Sequence, residues 1–256
     1  MDKKLFEKIT KKKEFSNLPK EDVKKAFEIF EKRQVSEEEK IRLTRDLLRR
    51  VFSAFMGRKI MTPKSKEAKW FLTKHVSTKE RFDFYKELYL KLLKEFNEGS
   101  VVDLGAGING ISYEYFKKAG KKVDYLGIEA VGQLVDVTNF YFKTNKISNA
   151  KAVHLSLFEL EKVKKLIKKQ KKPRIGFLFK TVDSLEMLER NYSKKFLKEV
   201  VPLFDKFVVS FAMRSLFKKS LFKVRRDWAI NFIKENFKVL EDFQLESERY
   251  IVFQKK

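Results

Sequence analysis

One stretch of the sequence indicates the fold class. It reads Val101-Val102-Asp103-Leu104-Gly105-Ala106-Gly107-Ile108-Asn109-Gly110. It predicts a buried strand that ends in a glycine-rich turn and opens a helix, with Gly105, Gly107 and Gly110 in the spacing G-x-G-x-x-G. Glycines at these places permit a tight turn and let a ligand approach the backbone closely. The pattern alone is shared by sites for dinucleotides and for S-adenosylmethionine. The next predicted strand ends at Gly127-Ile128-Glu129, where a carboxylate can hold the two ribose hydroxyls of either ligand.

Outward from this stretch, short apolar runs alternate with amphipathic segments as far as the C-terminus. Such alternation predicts a mostly parallel sheet with helices on both faces. The predicted strands are Val101–Leu104, Val123–Ile128, Ala150–Leu155, Arg174–Phe179, Lys206–Phe211, Lys238–Leu245 and Arg249–Gln254. Because only Glu246-Ser247-Glu248 separates the last two, they are expected to form an antiparallel hairpin. The fold class is therefore α/β, with a Rossmann-like sheet of seven strands.

The residues before the sheet are predicted to be helical throughout. Ser36-Glu37-Glu38-Glu39 is a capping box that opens one helix, and Ser77-Thr78-Lys79-Glu80 is a second such box ahead of the apolar residues from Phe82 to Phe96. These patterns divide the chain in two. Residues 1–98 are predicted to form a basic helical domain that binds RNA or the ribosome, and residues 99–256 a ligand-binding α/β domain.

The charge of the chain points to a polyanionic partner. Lysine and arginine number 59 against 35 aspartates and glutamates, which gives a formal net charge of +24. An imbalance this large predicts either nucleic acid or an acidic membrane surface as the partner. Hydrophobic residues make up 43% of the chain and include 26 phenylalanines. So many aromatic residues exclude disorder of the whole chain.

Residue types that are scarce exclude several kinds of chemistry. Without cysteine there is no disulfide, thiolate nucleophile or iron–sulfur cluster, and with only His75 and His154 we expect no metal site. The apolar runs are far shorter than the roughly 18 residues of a membrane span, so no membrane partner is expected. The first eight residues are charged where a signal peptide would be apolar. We therefore expect a soluble cytoplasmic protein.

Four segments resemble the aminoglycoside-resistance methyltransferases of 16S ribosomal RNA, the Arm/Rmt type of class I methyltransferase. His75–Arg81 is similar to that family's His-x-Ser-Thr-x-Glu-Arg element, and Asp103–Gly110 to its cofactor loop, with an acidic residue two positions before the first glycine. Phe179–Thr181, followed by Leu185–Glu189, resembles the segment after the fourth strand. Val209–Leu216 resembles the Ser-Phe-x-x-Arg-Ser-Leu motif after the fifth strand.

The resemblance implies S-adenosyl-L-methionine as cofactor and S-adenosyl-L-homocysteine as product. Arg81 would pair in a bidentate manner with the carboxylate of the cofactor's methionine end, and Glu129 would hold the ribose. In the family an acidic residue after the third strand often contacts the adenine; here Ser156 stands in that segment and can accept one hydrogen bond. The cofactor-binding residues implied are His75, Arg81, Asp103, Gly105, Ala106, Gly107, Glu129, Ser156 and Leu157.

The same resemblance implies a set of residues that meet the RNA. Lys180 and Arg214 follow the fourth and fifth strands at the carboxyl edge of the sheet, and they are the catalytic candidates, expected to hold the target nucleotide or its phosphates. Further cations are expected to bind the phosphate backbone, which gives affinity without sequence readout. These are Arg45, Arg49, Arg50, Lys218, Lys219, Lys223, Arg225 and Arg226.

The leading prediction is a monomeric methyltransferase that acts on 16S rRNA of the 30S ribosomal subunit, at a guanine N7 in the decoding A site. Guanine N7 keeps its lone pair within a base pair, so its methylation needs alignment with the methyl group rather than a general base. Four alternatives stay open. They are a methyltransferase for another RNA, one for adenine N1 in the same region, a non-catalytic RNA-binding factor with the same fold, and a NAD-dependent dehydrogenase. The dehydrogenase is the weakest, because it would leave the four segments and the charge of +24 unexplained.

Overall fold

The computed structural model describes residues 1–52, 67–213 and 226–256 of the chain. The segment before the sheet is helical, as predicted. Its helices are α1 (Lys3–Thr10), α2 (Lys20–Glu31), α3 (Glu37–Val51), α4 (Ala68–Leu72), α5 (Val76–Arg81) and α6 (Tyr85–Leu92), with a 3-10 turn at Phe82–Phe84 between the last two. In these three ranges no helix has both the length and the apolar character that crossing a membrane requires.

The two predicted capping boxes have different outcomes. Ser36 caps α3 as expected, because its Oγ accepts a hydrogen bond from the Glu39 N–H at 3.2 Å. Ser77 does not cap a helix. The His75 carbonyl already accepts from the Lys79 N–H at 2.9 Å, so α5 begins at Val76 and Ser77 lies inside its first turn.

The seven strands form one sheet in the order β3-β2-β1-β4-β5-β7-β6. They are β1 (Glu98–Leu104), β2 (Lys122–Glu129), β3 (Ala150–His154), β4 (Arg174–Phe179), β5 (Lys206–Ala212), β6 (Phe237–Leu245) and β7 (Glu248–Lys255). Strands β1 to β5 are parallel, whereas β7 pairs antiparallel with both β5 and β6. This arrangement confirms the predicted seven-stranded sheet with its C-terminal hairpin.

The order of the strands leaves a crevice at one edge of the sheet. From β1 the chain moves to β2 and β3 on one side, and then returns to β4 and β5 on the other side. Ligands of open α/β sheets bind outside the carboxyl ends of the strands at such a reversal. The helices that follow the strands are α7 (Glu114–Lys118), α8 (Gly132–Thr144), α9 (Leu160–Lys168), α10 (Val182–Leu188), α11 (Tyr192–Val200) and α12 (Asp227–Asn236).

Each face of the sheet has its own hydrophobic core. Every residue of β1 after Glu98 is buried, and successive side chains enter opposite cores, as the pleat of a strand requires. One core joins the N-terminal helices to the sheet and contains Ile9, Leu48, Leu88, Val101 and Phe177. The other lies under α9, α11 and α12 and contains Val102, Leu104, Phe196 and Ile233. The helical segment therefore covers one face of the sheet directly, and its division from residues 99–256 as a separate domain stays a prediction.

Candidate active site

A cleft of about 830 Å³, open mouth included, lies at the carboxyl ends of β1, β2 and β4. Helices α2, α3 and α5 close it from the side of the N-terminal segment. Predicted site residues from five separate parts of the chain meet there. Those that line the cleft are His75, Arg81, Asp103, Gly105, Ala106, Gly107, Glu129, Leu157 and Lys180.

The glycine-rich turn after β1 requires glycine, both for its backbone conformation and for its packing. Gly105 has φ +72° and Gly107 has φ +53°, the left-handed region that favours glycine. A Cβ on Gly105 would lie 2.6 Å from Thr181 Oγ1, which no real side chain tolerates. The turn is held in place because the N–H groups of Gly105 and Ala106 both donate to the Ile128 carbonyl, at 2.8 and 3.1 Å.

Glu129 joins this turn to the end of β2. Its Oε2 accepts from the Gly107 N–H and its Oε1 from the Val131 N–H, each at 2.8 Å. Burial raises the pKa of this carboxyl, and the two backbone hydrogen bonds oppose that rise. A carboxylate has about four lone-pair sites, so both oxygens keep acceptor capacity for a ligand hydroxyl.

Asp103 lies at the centre of a buried polar network. Its Oδ2 accepts from Asn109 Nδ2 at 2.7 Å and from the Tyr125 hydroxyl at 2.8 Å. The Tyr85 hydroxyl in turn donates to Asn109 Oδ1 at 2.8 Å. Burial raises the pKa of Asp103. The network fixes the end of β1, and Asn109, Tyr85 and Tyr125 are members of it that the sequence did not indicate.

Arg81 is fully buried and makes a different ion pair from the one predicted. Its Nε and Nη2 donate to the two carboxylate oxygens of Glu248, both at 3.0 Å, and Nη1 donates to Asn109 Oδ1 at 3.3 Å. The guanidinium also lies 4.8 Å from the centre of the Phe179 ring. The bidentate pairing that was predicted for a ligand carboxylate is therefore made to the first residue of β7.

Glu248 connects Arg81 to the other cation of the cleft. It lies 3.1 Å from Lys180 Nζ and also accepts a hydrogen bond from the Ser210 hydroxyl. Burial alone would raise the pKa of Glu248, but Arg81 and Lys180 outweigh it and hold that pKa below its ordinary value. Lys180 pairs in addition with Glu80 of α5.

The backbone at Lys180 is in an unusual conformation. Its φ is 56°, in the left-handed region that non-glycine residues rarely adopt. Its N–H donates to both the carbonyl and the hydroxyl of Ser210 at 3.1 Å, which holds this conformation. Strain of this kind concentrates at functional sites. The conformation directs the lysine, whose side chain is 7% exposed, into the cleft lining.

His75 is uncharged at neutral pH. It is 3% exposed, and its burial together with Arg81 and Lys180 lowers its pKa to about 3. A Cβ on Gly107 would lie 3.4 Å from the His75 ring, so the imidazole packs against the glycine turn. Its side chain makes no capping hydrogen bond to α5. The structure thus places His75 as a neutral wall of the cleft.

The turn after β3 contributes less to the cleft than predicted. Ser156 is fully buried, and its Oγ accepts from the Phe158 N–H at 3.0 Å. From this turn Leu157 and Phe158 line the described part of the cleft, and Ser156 does not. The carboxyl group at this end of the cleft is that of Asp22 in α2, a residue that the sequence reasoning missed.

The three arginines predicted to bind phosphate on α3 are in different environments. Arg45 donates to the carbonyls of Lys8 and Ile9 at the end of α1, and Arg49 pairs with Glu14 and Asp46, both at 2.8 Å. Arg50 is exposed. Arg45 and Arg49 therefore hold the helical segment together, a use of arginine that an outward helix face does not reveal.

Arg226 is not the surface cation that was predicted. It is 7% exposed and donates to Asp183 from Nε at 3.1 Å and from Nη2 at 2.6 Å, and its Nη1 donates to the Ala212 carbonyl. Asp183 lies near the start of α10 and compensates the buried charge. The other predicted contacts in this part of the chain, Arg214, Lys218, Lys219, Lys223 and Arg225, lie outside the described residues.

Three solved structures of ribosomal RNA methyltransferases share this architecture over the full chain. The 16S rRNA methyltransferase RmtF, in complex with S-adenosyl-L-homocysteine, aligns with TM-score 0.79 and 16% identity over 100% of both chains. The 16S rRNA methylase RmtB gives 0.76 and 16% over 99% of this chain and 98% of that one. An rRNA methylase from Escherichia coli gives 0.75 and 17% over 99% of each. The chain has the class I methyltransferase fold.

Comparison of the sequence alone finds no match. No protein-family model matches the chain, and no curated protein sequence does either. At 16–17% identity the three structures show the fold and no more. Activity and ligand have to be argued from the cleft itself.

Proposed function

We propose that the chain is an S-adenosylmethionine-dependent methyltransferase that modifies 16S rRNA of the small ribosomal subunit. The observation that carries the proposal is the convergence of His75–Arg81, Asp103–Gly110 and Phe179–Thr181 on one cleft. These segments resemble the Arm/Rmt family, and long stretches of sequence separate them. The adjacency of β1 and β4 brings the last two segments together, whereas His75–Arg81 comes to the same cleft from the helical segment, which the strand order does not require. The full-length likeness to solved 16S rRNA methyltransferases supports the same function.

The residues of the cleft fit this cofactor. The left-handed backbone at Gly105 and Gly107 shapes a turn that lines the cleft, and both oxygens of Glu129 keep acceptor capacity for the two ribose hydroxyls. Arg81 would use the one Nη1 N–H that Asn109 leaves over to hold the methionine carboxylate, while Glu248 keeps the guanidinium plane fixed. When bound, the cofactor supplies an electrophilic methyl group on its sulfonium.

Guanine N7 is the proposed target atom. Its lone pair is free even in a base pair, so the protein has to expose the base and hold it in line with the methyl group. On the side of β4 the described cleft suits this demand, because the polar groups there position rather than abstract protons. The His75 pKa of about 3 leaves that imidazole a poor base, and Lys180 is paired with two carboxylates. Lys180 would hold the target nucleotide or a phosphate.

The net charge of the chain supports an RNA substrate. A net charge of +24 favours a large polyanion, and binding through phosphates is expected to weaken steeply as salt is raised. Arg50 is an exposed cation near the cleft-lining end of α3, where Val51 and Phe52 reach the site. A monomer that acts on the 30S subunit in the cytoplasm is part of this proposal.

Replacing Glu129 with alanine is expected to weaken binding of S-adenosyl-L-homocysteine about 10- to 100-fold, because two charge-assisted hydrogen bonds to the ribose are lost. Isothermal titration calorimetry measures the effect. Glu161→Ala is the control, since that carboxylate is 83% exposed on α9 and is expected to leave the affinity unchanged. Equal affinity in the Glu129 variant and the wild type would remove Glu129 from the cofactor site.

The target atom is tested by chemical cleavage. RNA methylated in 30S subunits is treated with borohydride and then aniline, which cuts the chain at N7-methylguanine. A single cut in the decoding region is expected. Methyl label in the RNA without a cut would refute guanine N7 and favour adenine N1.

A further inference from the structure

Asp22, a residue of the cleft wall, has an unsatisfied carboxyl oxygen. The residue lies in the first turn of α2, is 2% exposed, and lines the cleft. Its Oδ2 is buried and has no hydrogen-bond partner among the described residues. Buried polar atoms without a partner are rare in folded proteins, and each calls for an explanation. A ligand that supplies the missing donor is one.

The position of Asp22 is fixed by contacts between the N-terminal helices and the residues around the sheet. Lys25 of the same helix pairs with Glu189 at 2.5 Å, and the Gly132 N–H donates to the Asn17 carbonyl at 3.0 Å. Lys25 Nζ also lies 5.1 Å from the centre of the Phe158 ring, which places α2 beside the turn after β3. The oxygen is therefore held at a defined place rather than carried on a free surface helix.

The cleft has a different chemical character at each end. On the side of β4 the cations Arg81 and Lys180 line it, and Glu129 stands in the middle at the end of β2. On the side of β3 the lining is apolar, with Leu157 and Phe158 beside the single carboxyl of Asp22. A long ligand whose ribose lies at Glu129 would thus place its charged end against the cations and its flat, apolar end beside Asp22.

We propose that Asp22 binds the exocyclic amine of the cofactor's adenine and selects adenine at this end of the cleft. This inference rests on the proposed function, because it takes the S-adenosyl cofactor as the ligand. The amine supplies the N–H donor that Oδ2 lacks. Hypoxanthine has a carbonyl oxygen at the same position, which would oppose the carboxyl oxygen and leave it unsatisfied. The N-terminal helical segment therefore completes the cofactor site.

Selectivity between two ligands tests the inference. Binding of S-adenosyl-L-homocysteine and of its inosine analogue, S-inosyl-L-homocysteine, is measured by calorimetry at about pH 8.5, above the Asp22 pKa of about 7, where the ionised carboxyl can only accept hydrogen bonds. The wild type is expected to prefer the adenosyl compound at least about 10-fold, because the inosyl compound lacks the amine that donates a hydrogen bond to the carboxylate. Asp22→Asn is expected to lose most of this preference, because its amide also offers a donor to the inosine carbonyl. Glu28→Gln, exposed on the same helix, is the control and should keep it.

The outcomes separate the inference from the proposed function. Binding of the adenosyl compound with the same selectivity in wild type and Asp22→Asn would overturn the role of Asp22 and leave the methyltransferase standing. Failure of the wild type to bind either compound would overturn both. Loss of the preference in Asp22→Asn, but not in Glu28→Gln, would support the role of Asp22.

Stability against pH gives a second readout that needs no ligand. Burial raises the pKa of Asp22 to about 7, and the charges of Glu129 and Glu159 raise it further. Hydrogen bonds from the Ser156 hydroxyl and from the Asp22 backbone oppose the rise. Tyr192 also interacts electrostatically with this carboxyl. The folded state therefore binds a proton that the unfolded chain releases near pH 4, so wild-type stability falls between about pH 4 and 7. Asp22→Asn lacks this loss. We expect its unfolding midpoint to exceed that of the wild type by several degrees at pH 8, and the gap to shrink toward pH 5. If the difference between the two unfolding midpoints does not change with pH, the Asp22 carboxyl does not carry the cost of a buried charge without a partner.

Discussion

Replacing Glu248 with alanine is expected to lower the free energy of unfolding by about 3–5 kcal/mol, because it leaves two buried cations without their common partner. Arg81 and Glu248 are each 1% exposed, and Lys180 lies 3.1 Å from the same carboxylate. Charges removed from water to this degree depend on one another. Urea unfolding at 25 °C measures the loss.

The control for this prediction lies in the same hairpin. Asp242 on β6 pairs with Arg249 on β7 at 2.7 Å, but both side chains are a quarter to a third exposed. Asp242→Ala is therefore expected to cost clearly less than Glu248→Ala. Glu248→Gln, which keeps the shape of the side chain, should lie between the two. Equal costs for the Asp242 and Glu248 variants would show that the buried network does not stabilise the fold.

Replacing Lys180 with alanine is expected to reduce methyl transfer to RNA at least about 100-fold, the size of effect seen when one preorganised electrostatic contact is removed from an active site. The lysine lines the cleft in a strained left-handed conformation, and a surface cation would not require that strain. Its Nζ pairs with Glu248 and Glu80, and Glu129 rather than Lys180 holds the glycine turn, so affinity for S-adenosyl-L-homocysteine is expected to stay near that of the wild type. Single-turnover transfer and calorimetry measure the two quantities.

Two further variants make the Lys180 prediction specific. Lys180→Arg keeps the charge and is expected to recover part of the transfer rate. Lys118→Ala removes a cation on α7, before β2 and away from the carboxyl edge of the sheet, where it pairs with Glu114; its rate should match that of the wild type. Full activity of Lys180→Ala would exclude the lysine from the site.

The central strands β1, β4 and β5 could be predicted from the sequence because they are buried on both faces. Such strands are continuous apolar runs, and the run before Gly105 gives β1 to within a few residues at its start. The break of the helix predicted from Ser77 onward into α5, a 3-10 turn and α6 could not be foreseen in the same way. Apolar residues from Phe82 to Phe96 keep a helical period through the break.

The candidate site was predictable only where a motif carries it. The glycine turn, Glu129, Arg81 and Lys180 belong to short segments that resemble a known family, and all of them line the cleft. Glu248 and Asp22 have no such signal. One is the last residue of a predicted hairpin turn and the other an acidic residue in a surface-like helix, and only tertiary packing buries them.

Charge was the least reliable guide to individual residues. Arg226 and Arg45 stand in basic stretches, yet each binds groups of its own chain, the first with Asp183 and the second with the end of α1. An arginine's guanidinium satisfies carbonyls and carboxylates inside a fold as well as phosphates outside it. Net charge therefore predicts the class of partner, and not which cations meet it.

A methyl-transfer assay tests the proposed function itself. Labelled S-adenosylmethionine is incubated with 30S subunits, naked 16S rRNA and tRNA side by side, and the label in each RNA is measured. We expect label in the small-subunit RNA, none in tRNA, and transfer at least about 100-fold slower when Lys180→Ala replaces the wild type. Label in tRNA with none in 16S rRNA would contradict the proposed substrate. The absence of label in all three RNAs, from protein that binds S-adenosyl-L-homocysteine, would contradict the claim that this chain methylates RNA of the ribosome.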